Sequence, residues 1–121
     1  MRDMVGAWVL KYVQVWTSND PAAIGALFTG DARYFRAPFS KPWEGREAIV
    51  DGWIRNQDEP GTWDYRFEIL GVEDGVGFVQ GWTEYREEGK NYANLWVIRL
   101  NPAGECTEFT EWHMTRPDSA A

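Results

Sequence analysis

The chain is 121 residues long, enough for one domain with a single core and too short for two. Twelve Lys and Arg against nineteen Asp and Glu leave a formal charge of −7. That balance argues against a nucleic-acid binder, which must neutralise phosphates, and against docking on an anionic membrane.

A hydrophobic content of 44 % with 26 % charged residues marks a globular chain. A lone cysteine, Cys106, excludes an intrachain disulfide framework. With no apolar run long enough to span a bilayer and no signal-like N-terminus, a cytoplasmic protein is expected. Eight Trp, five Tyr and six Phe make 16 % of the chain aromatic. Close packing with aliphatic neighbours accommodates only some of these, so others are expected to line a ligand cavity, a subunit interface, or both.

Val5, Trp8, Val9, Tyr12, Val13 and Trp16 recur at helical spacing and predict a helix over 2–17, with Asp3, Lys11, Gln14 and Ser18 on its polar side. Asn19, Asp20 and Pro21 supply a break, a cap and a first-turn proline. A second, short helix is expected through Ala22, Ile24, Leu27 and Phe28, ending near Gly30. Asp31 to Phe35 predicts a strand, and Pro38 and Pro42 predict a loop after it. Gly45 to Asn56 reads as a third helix with Ile49, Val50, Trp53 and Ile54 on its apolar side. From Trp63 the pattern changes period: Trp63, Tyr65, Phe67 and Ile69 alternate with polar residues. Stretches 76–86, 90–100 and 105–116 follow, separated by glycine-containing turns. Four such strands of about ten residues make a meander that must twist and curl.

The result is an α+β domain: a cone-shaped, curved antiparallel sheet, built from a long four-strand meander plus a short first strand, packed against three N-terminal helices. A single domain over 1–117 is expected, with a frayed tail at 118–121. The sheet's outer face carries Asp64, Arg66 and Glu68 around Leu95 and Val97, a pattern that predicts a homodimer interface there.

Three stretches carry a resemblance. Tyr12, Trp16 and Asp20 at spacings of four come first, then Ile24, Leu27, Phe28, Asp31 and Ala32, then the run from Gly45 to Ile49. Together they resemble the nuclear transport factor 2-like superfamily, in particular its SnoaL-like members, a group with ketosteroid isomerase, scytalone dehydratase and limonene epoxide hydrolase. The resemblance covers Ala7 to Arg116 and implies a cone that holds a small apolar molecule in its open end. Carried over residue by residue, the isomerase's oxyanion-binding Tyr falls on Tyr12, but its general-base Asp falls near Arg36, beside Ala37, and its second oxyanion acid on Trp96. Steroid isomerisation by that mechanism is therefore not expected. The dehydratase's catalytic histidines are not matched either, because His113 is the only histidine.

Within that frame, Glu111 and His113 are two apart on the last strand and share a face, which the resemblance turns with Phe109 toward the cavity. A carboxylate beside an imidazole suits proton transfer. The alternative is a solvated histidine at the strand end. Tyr12, between Trp8 and Trp16, either donates to a developing oxyanion or is a core tyrosine tethered to a backbone carbonyl. Arg36 is placed to bind a substrate anion, or to pair with Glu44 or Glu47. Asn94 and Trp96 share a face, and Asn94 either meets a ligand or bonds across the strands to Glu111. Trp53, Trp63 and Trp82 are candidate walls for a flat ligand, with core packing the alternative for Trp53, and Trp16 is a further candidate contact.

These residues suit a cofactor-independent enzyme doing isomerisation, dehydration, cyclisation or epoxide opening; the other reading is a non-catalytic dimeric module. No metal or cofactor is called for: one His and one Cys cannot build an ordinary zinc site, and no Gly-x-Ser-x-Gly elbow or phosphate loop is present. Cys106 reads as a small buried apolar residue on the strand face opposite Glu111.

Overall fold

The computed structural model describes residues 1–119. The first helix, α1 (Arg2–Ser18), buries Val5, Trp8, Val9, Tyr12 and Val15 along one stripe. It stops where Asn19 turns left-handed, at φ 52°. Asp20 then caps α2 (Pro21–Ala26), its carboxylate accepting from the Ala23 amide at 3.1 Å. This helix is shorter than its apolar pattern predicts: Phe28 already belongs to strand β1 (Phe28–Phe35). The Arg46 guanidinium ends α2 by donating to the carbonyls of Gly25 and Phe28, a long-range cap that local patterning does not reveal.

A two-residue strand, β2 (Trp43–Glu44), pairs with β1 and was not legible in the proline-rich stretch before it. Helix α3 (Arg46–Arg55) follows and buries Ile49, Gly52 and Trp53. Trp43 lies flat on it because Gly52 has no side chain; a Cβ there would sit 2.4 Å from the indole. The meander is β3 (Trp63–Glu73), β4 (Val76–Tyr85), β5 (Lys90–Leu100) and β6 (Cys106–Thr115), each antiparallel to the next. β1 joins the far side of β6 in parallel, so the curved, unclosed sheet runs β2-β1-β6-β5-β4-β3.

Of the irregularities in register, those in the β5–β6 and β3–β4 ladders change which side chains turn inward. Between Arg99 and Leu100 the β5–β6 ladder slips, pairing Arg99 with Glu108 and Leu100 with Cys106. One extra residue on β6 reverses the alternation, so Cys106 shares the inner side with Phe109 and Glu111 rather than opposing them. The slip after Ile69 likewise lets Ile69 and Val72, three residues apart, both pack against the core.

At the narrow end of the cone, Val5, Val9, Phe28, Val79, Ile98 and Cys106 are all fully buried. Burying each aliphatic or aromatic side chain there is worth about 1.5–3 kcal/mol. Of the tail expected to fray at 118–121, Ser119 Oγ accepts from the Asn91 amide of β5 at 3.0 Å, and Asp118 pairs with Arg116 at 2.7 Å. The remainder of that expectation, residues 120–121, lies outside the described residues. No helix among the described residues is long and apolar enough to cross a membrane.

Candidate functional site

The same inner face that is aliphatic at the narrow end becomes aromatic and polar at the open end. There α1, β1, β2, α3, the loop after α3, β4, β5 and β6 line a cavity of about 400 Å³, within the size range of small-molecule sites. Tyr12, Trp16, Arg36, Trp53, Asn94, Trp96, Glu111 and His113 all line it. Phe109, Trp63 and Trp82 do not; Trp82 alternates with the inward Gly81 and lies on the outer face under the Arg66 guanidinium, 4.5 Å from its ring. Phe109 is fully buried beneath the floor, stacked on Tyr12 and Tyr34 with ring centroids 5.5 and 4.6 Å apart. Trp63 backs the wall, its indole stacked on Trp16 at 3.7 Å.

Glu111 is a carboxylate of the cavity held by two side-chain donors. Its Oε2 accepts from Asn94 Nδ2 at 2.7 Å and from the Trp96 indole N–H at 3.0 Å. Asn94 is itself fixed: the Thr83 hydroxyl donates to its Oδ1 at 2.9 Å. Thr83 and Asn94 are only 3 % and 7 % exposed. An ionised carboxylate only accepts, so the amide must turn its NH₂ toward Glu111, and its oxygen then requires a donor. Thr83 supplies that donor. The chain Thr83–Asn94–Glu111 runs diagonally across neighbouring strands: Asn94 is paired with Gly81, two residues from Thr83 on β4, and with His113, two residues from Glu111 on β6. Among the described residues no protein donor reaches Oε1 of Glu111.

No hydrogen bond joins Glu111 to His113 among the described residues. His113 is exposed at the rim, cross-strand from Asn94 and edge-on to Tyr92 at 6.1 Å. The two groups share a face, but the side-chain partners of Glu111 are Asn94 and Trp96.

On the opposite wall, the Tyr12 and Tyr34 hydroxyls are hydrogen-bonded at 2.6 Å. Tyr12 is thus tethered to a second phenol rather than to a backbone carbonyl. Burial pushes both hydroxyls well above their ordinary value. For Tyr12, the neighbouring Tyr34 and Glu111 add to the shift. For Tyr34, Glu111 adds to it, while the Tyr12 hydrogen bond and the Arg36 charge oppose it. Both phenols therefore stay protonated at neutral pH. One donates to the other, which leaves one hydroxyl proton for a third group. Arg36 lies over the Trp43 ring at 5.3 Å and forms no ion pair with Glu44 or Glu47 among the described residues.

Several lining residues were not singled out from the sequence: Tyr34, Trp43, Asp58, Thr83 and Tyr85. Thr83 and Tyr85 had a usable signal. Gly77 and Gly81 alternate with them, and a Cβ at either would collide with Val5 or Tyr65, so the glycines mark the inner face of β4. Asp58 had none. Its Oδ2 accepts from Trp16 Nε1 at 3.0 Å and the Tyr85 hydroxyl at 3.1 Å, partners 42 and 27 residues away.

The SnoaL-like domain model matches residues 9–116, nearly the whole fold just described. The chain belongs to the SnoaL-like domain family. Its architecture is shared with solved structures of low sequence identity. An NTF-2 like protein of unknown function from Burkholderia xenovorans LB400 superposes with a TM-score of 0.76 at 13 % identity, covering 99 % of this chain and 90 % of that one. An uncharacterised cystatin-like-fold protein from Silicibacter pomeroyi DSS-3 gives 0.66 at 18 % identity, over 92 % and 76 %. A ketosteroid isomerase-like protein from Erwinia carotovora atroseptica SCRI1043 gives 0.65 at 14 %, over 94 % and 96 %. At these identities the likeness concerns the SnoaL-like fold alone. No curated protein matches the sequence.

Proposed function

We propose that this SnoaL-like domain binds a small carbonyl or cyclic compound in the cavity and moves a proton on it, with Glu111 as the acceptor and the Tyr12–Tyr34 pair as the oxyanion partner. One observation carries the reading: a carboxylate held on one oxygen by two N–H donors and a pair of neutral phenols line the same cavity. Holding Oε2 orients the carboxylate and leaves Oε1 to act. In the step envisaged, a proton on the carbon next to a carbonyl passes to Glu111 Oε1. The C–H electron pair becomes a C=C bond, and the carbonyl π electrons move onto oxygen. That oxygen accepts a hydrogen bond from the tyrosine pair, whose remaining O–H is already in place. Glu111 then returns the proton to the same or a conjugated carbon. His113, next along the inward side of β6, lies where a proton would leave to solvent.

The test is α-proton exchange of cyclic ketones and enones in D₂O, followed by NMR, with binding followed by melting temperature and Trp fluorescence. Glu111→Gln is expected to slow exchange by about a hundredfold or more while binding persists. Ligand binding with no exchange in any compound would identify a carrier instead.

The outer sheet face supports pairing of two copies. Leu95 and Trp112 are direct cross-strand neighbours there, as are Ala93 and Met114, and Trp112 and Met114 are 50 % and 69 % exposed. Charged residues Arg66 and Glu68 flank them on β3. An apolar centre with a charged rim is the pattern of a protein interface. Sedimentation should give twice the chain mass of 14.0 kDa, reverting to one chain in Trp112→Arg. A single-chain mass in the unsubstituted protein at micromolar concentration overturns the pairing.

A further inference from the structure

Three carboxylates line the cavity, and proton transfer uses only one of them. Glu88 is paired at the rim with Lys90, at 3.6 Å. Glu111 is the acceptor. Asp58 has no task, yet it is held as firmly as Glu111 and in the same manner. One oxygen, Oδ2, takes an indole N–H from Trp16 and a hydroxyl from Tyr85. The backbone carbonyl of Asp58 accepts from Asn19 Nδ2 at 3.1 Å, and Asn19 Oδ1 holds the Trp53 indole at 3.0 Å. Asp58 is thereby fixed among Trp16, Trp53 and Tyr85, all of which line the cavity.

Neither Asp58 nor Glu111 forms an ion pair among the described residues. The remaining cation of the lining besides Lys90, Arg36, lies on Trp43 beside Tyr34. At Tyr85, burial comes first in raising the hydroxyl, and the charges of Asp58 and Glu111 add to it, while Lys90, its direct partner across β4 and β5, pairs with Glu88 at 3.6 Å. This side of the cavity is therefore negative as well as aromatic. A half-desolvated carboxylate without a counter-charge is unfavourable, and covering it with a neutral ligand makes that worse. A cation relieves it and is also attracted by the surrounding rings.

The geometry points to a ligand bearing a protonated amine or quaternary ammonium, seated against Asp58 among Trp16, Trp53 and Tyr85. The inference rests on the cavity being the ligand site, as proposed above, and makes Asp58 the residue that selects charge. The formal charge of −7 favours approach of such a ligand over the whole surface.

A matched set of soluble probes tests this by calorimetry and Trp fluorescence at low salt: choline, its neutral isostere 3,3-dimethylbutan-1-ol, and the anion 3,3-dimethylbutanoate. Choline is expected to bind at least tenfold more tightly than the alcohol. Asp58→Asn, which keeps an oxygen for Trp16 and Tyr85, should abolish that preference without weakening the alcohol. Added salt should weaken choline alone. Equal affinity for choline and the alcohol in the unsubstituted protein overturns the inference, whatever the variant does. So does a preference that survives Asp58→Asn, and so does tightest binding of the anion, which would assign recognition to Arg36. Cyclohexanone serves as the control for the cavity itself. If it binds and choline does not, the ammonium inference falls and the ligand site stands; if neither binds, both fall.

Discussion

The two ends of the cone are built from the same strands and differ in every inward residue. Along β5 the inner side runs Leu100 and Ile98, then Trp96, Asn94 and Tyr92; along β6 it runs Cys106 and Phe109, then Glu111 and His113. On α1, Val5 and Val9 give way to Tyr12 and Trp16. The narrow end has the composition of a core and the open end that of a site, within one continuous sheet. Stability and chemistry are therefore separable along the axis of each strand rather than between elements.

The largest test of that separation is a pair of alanine substitutions on one strand. Phe109→Ala should lose about 3–5 kcal/mol in urea denaturation, because a fully buried ring leaves a cavity beneath the floor. His113→Ala, exposed at the rim, should change stability by less than about 0.5 kcal/mol. Comparable losses at the two positions would mean that the open end is core as well.

Alkaline titration sharpens the contrast from a different direction. In the unfolded chain a tyrosine releases its proton near pH 10, whereas burial holds Tyr12 and Tyr34 protonated beyond that. Above pH 10 the unfolded state binds fewer protons than the native one, so stability falls with pH, by about 1.4 kcal/mol per unit for each such hydroxyl. Cys106, pushed up to about 12 by burial, begins to contribute in the same sense from about pH 9 and stops adding near 12. Tyrosinate absorbance of the buried pair should rise only together with loss of the circular-dichroism signal. Ionisation of every tyrosine in a chain that keeps its native signal would show the pair to be hydrated.

The ease of reading the sequence follows the same axis. Helices α1 and α3 and the four long strands were legible because their apolar period matches their burial, and the SnoaL-like resemblance followed from α1, α2 and the start of α3. Where the reading failed, the cause was tertiary. Phe28 looks like the end of a helix, but the Arg46 side chain closes α2 early and β6 takes Phe28 into the sheet. Cys106 reads as outward by counting twos, until the bulge before Phe109 reverses the count. The cavity was half legible: α1, β5 and β6 presented their residues by simple alternation. Asp58 and Tyr34 become neighbours of the others only through folding, since their partners are distant in sequence.

The phenol pair offers a smaller effect with a sharper signature. Tyr12→Phe strands the buried Tyr34 hydroxyl, and Tyr34→Phe strands that of Tyr12; each should cost about 1–3 kcal/mol. Replacing both leaves no orphaned hydroxyl, so the double variant should be more stable than the sum of the single losses implies. Strict additivity would indicate that the two hydroxyls have no energetic coupling, and with it would go the reason for a spare, pre-oriented O–H.

The smallest expected effect addresses the support beneath Glu111. Thr83→Val keeps the shape of the side chain and removes the one donor that Asn94 Oδ1 has among the described residues, so the amide loses its reason to hold one orientation. A stability loss of about 1 kcal/mol is expected, near the lower end for a stranded buried acceptor, because Asn94 lines the cavity and its amide can turn toward it. Thr83→Ser restores the hydroxyl and should return most of that loss. The discriminating readout is α-proton exchange: Val should slow it, and Ser should rescue it, with ligand affinity little changed in both. If Val lowers stability but leaves exchange untouched, Thr83 merely packs β4 against β5, and the orientation of Glu111 is set by Trp96 alone.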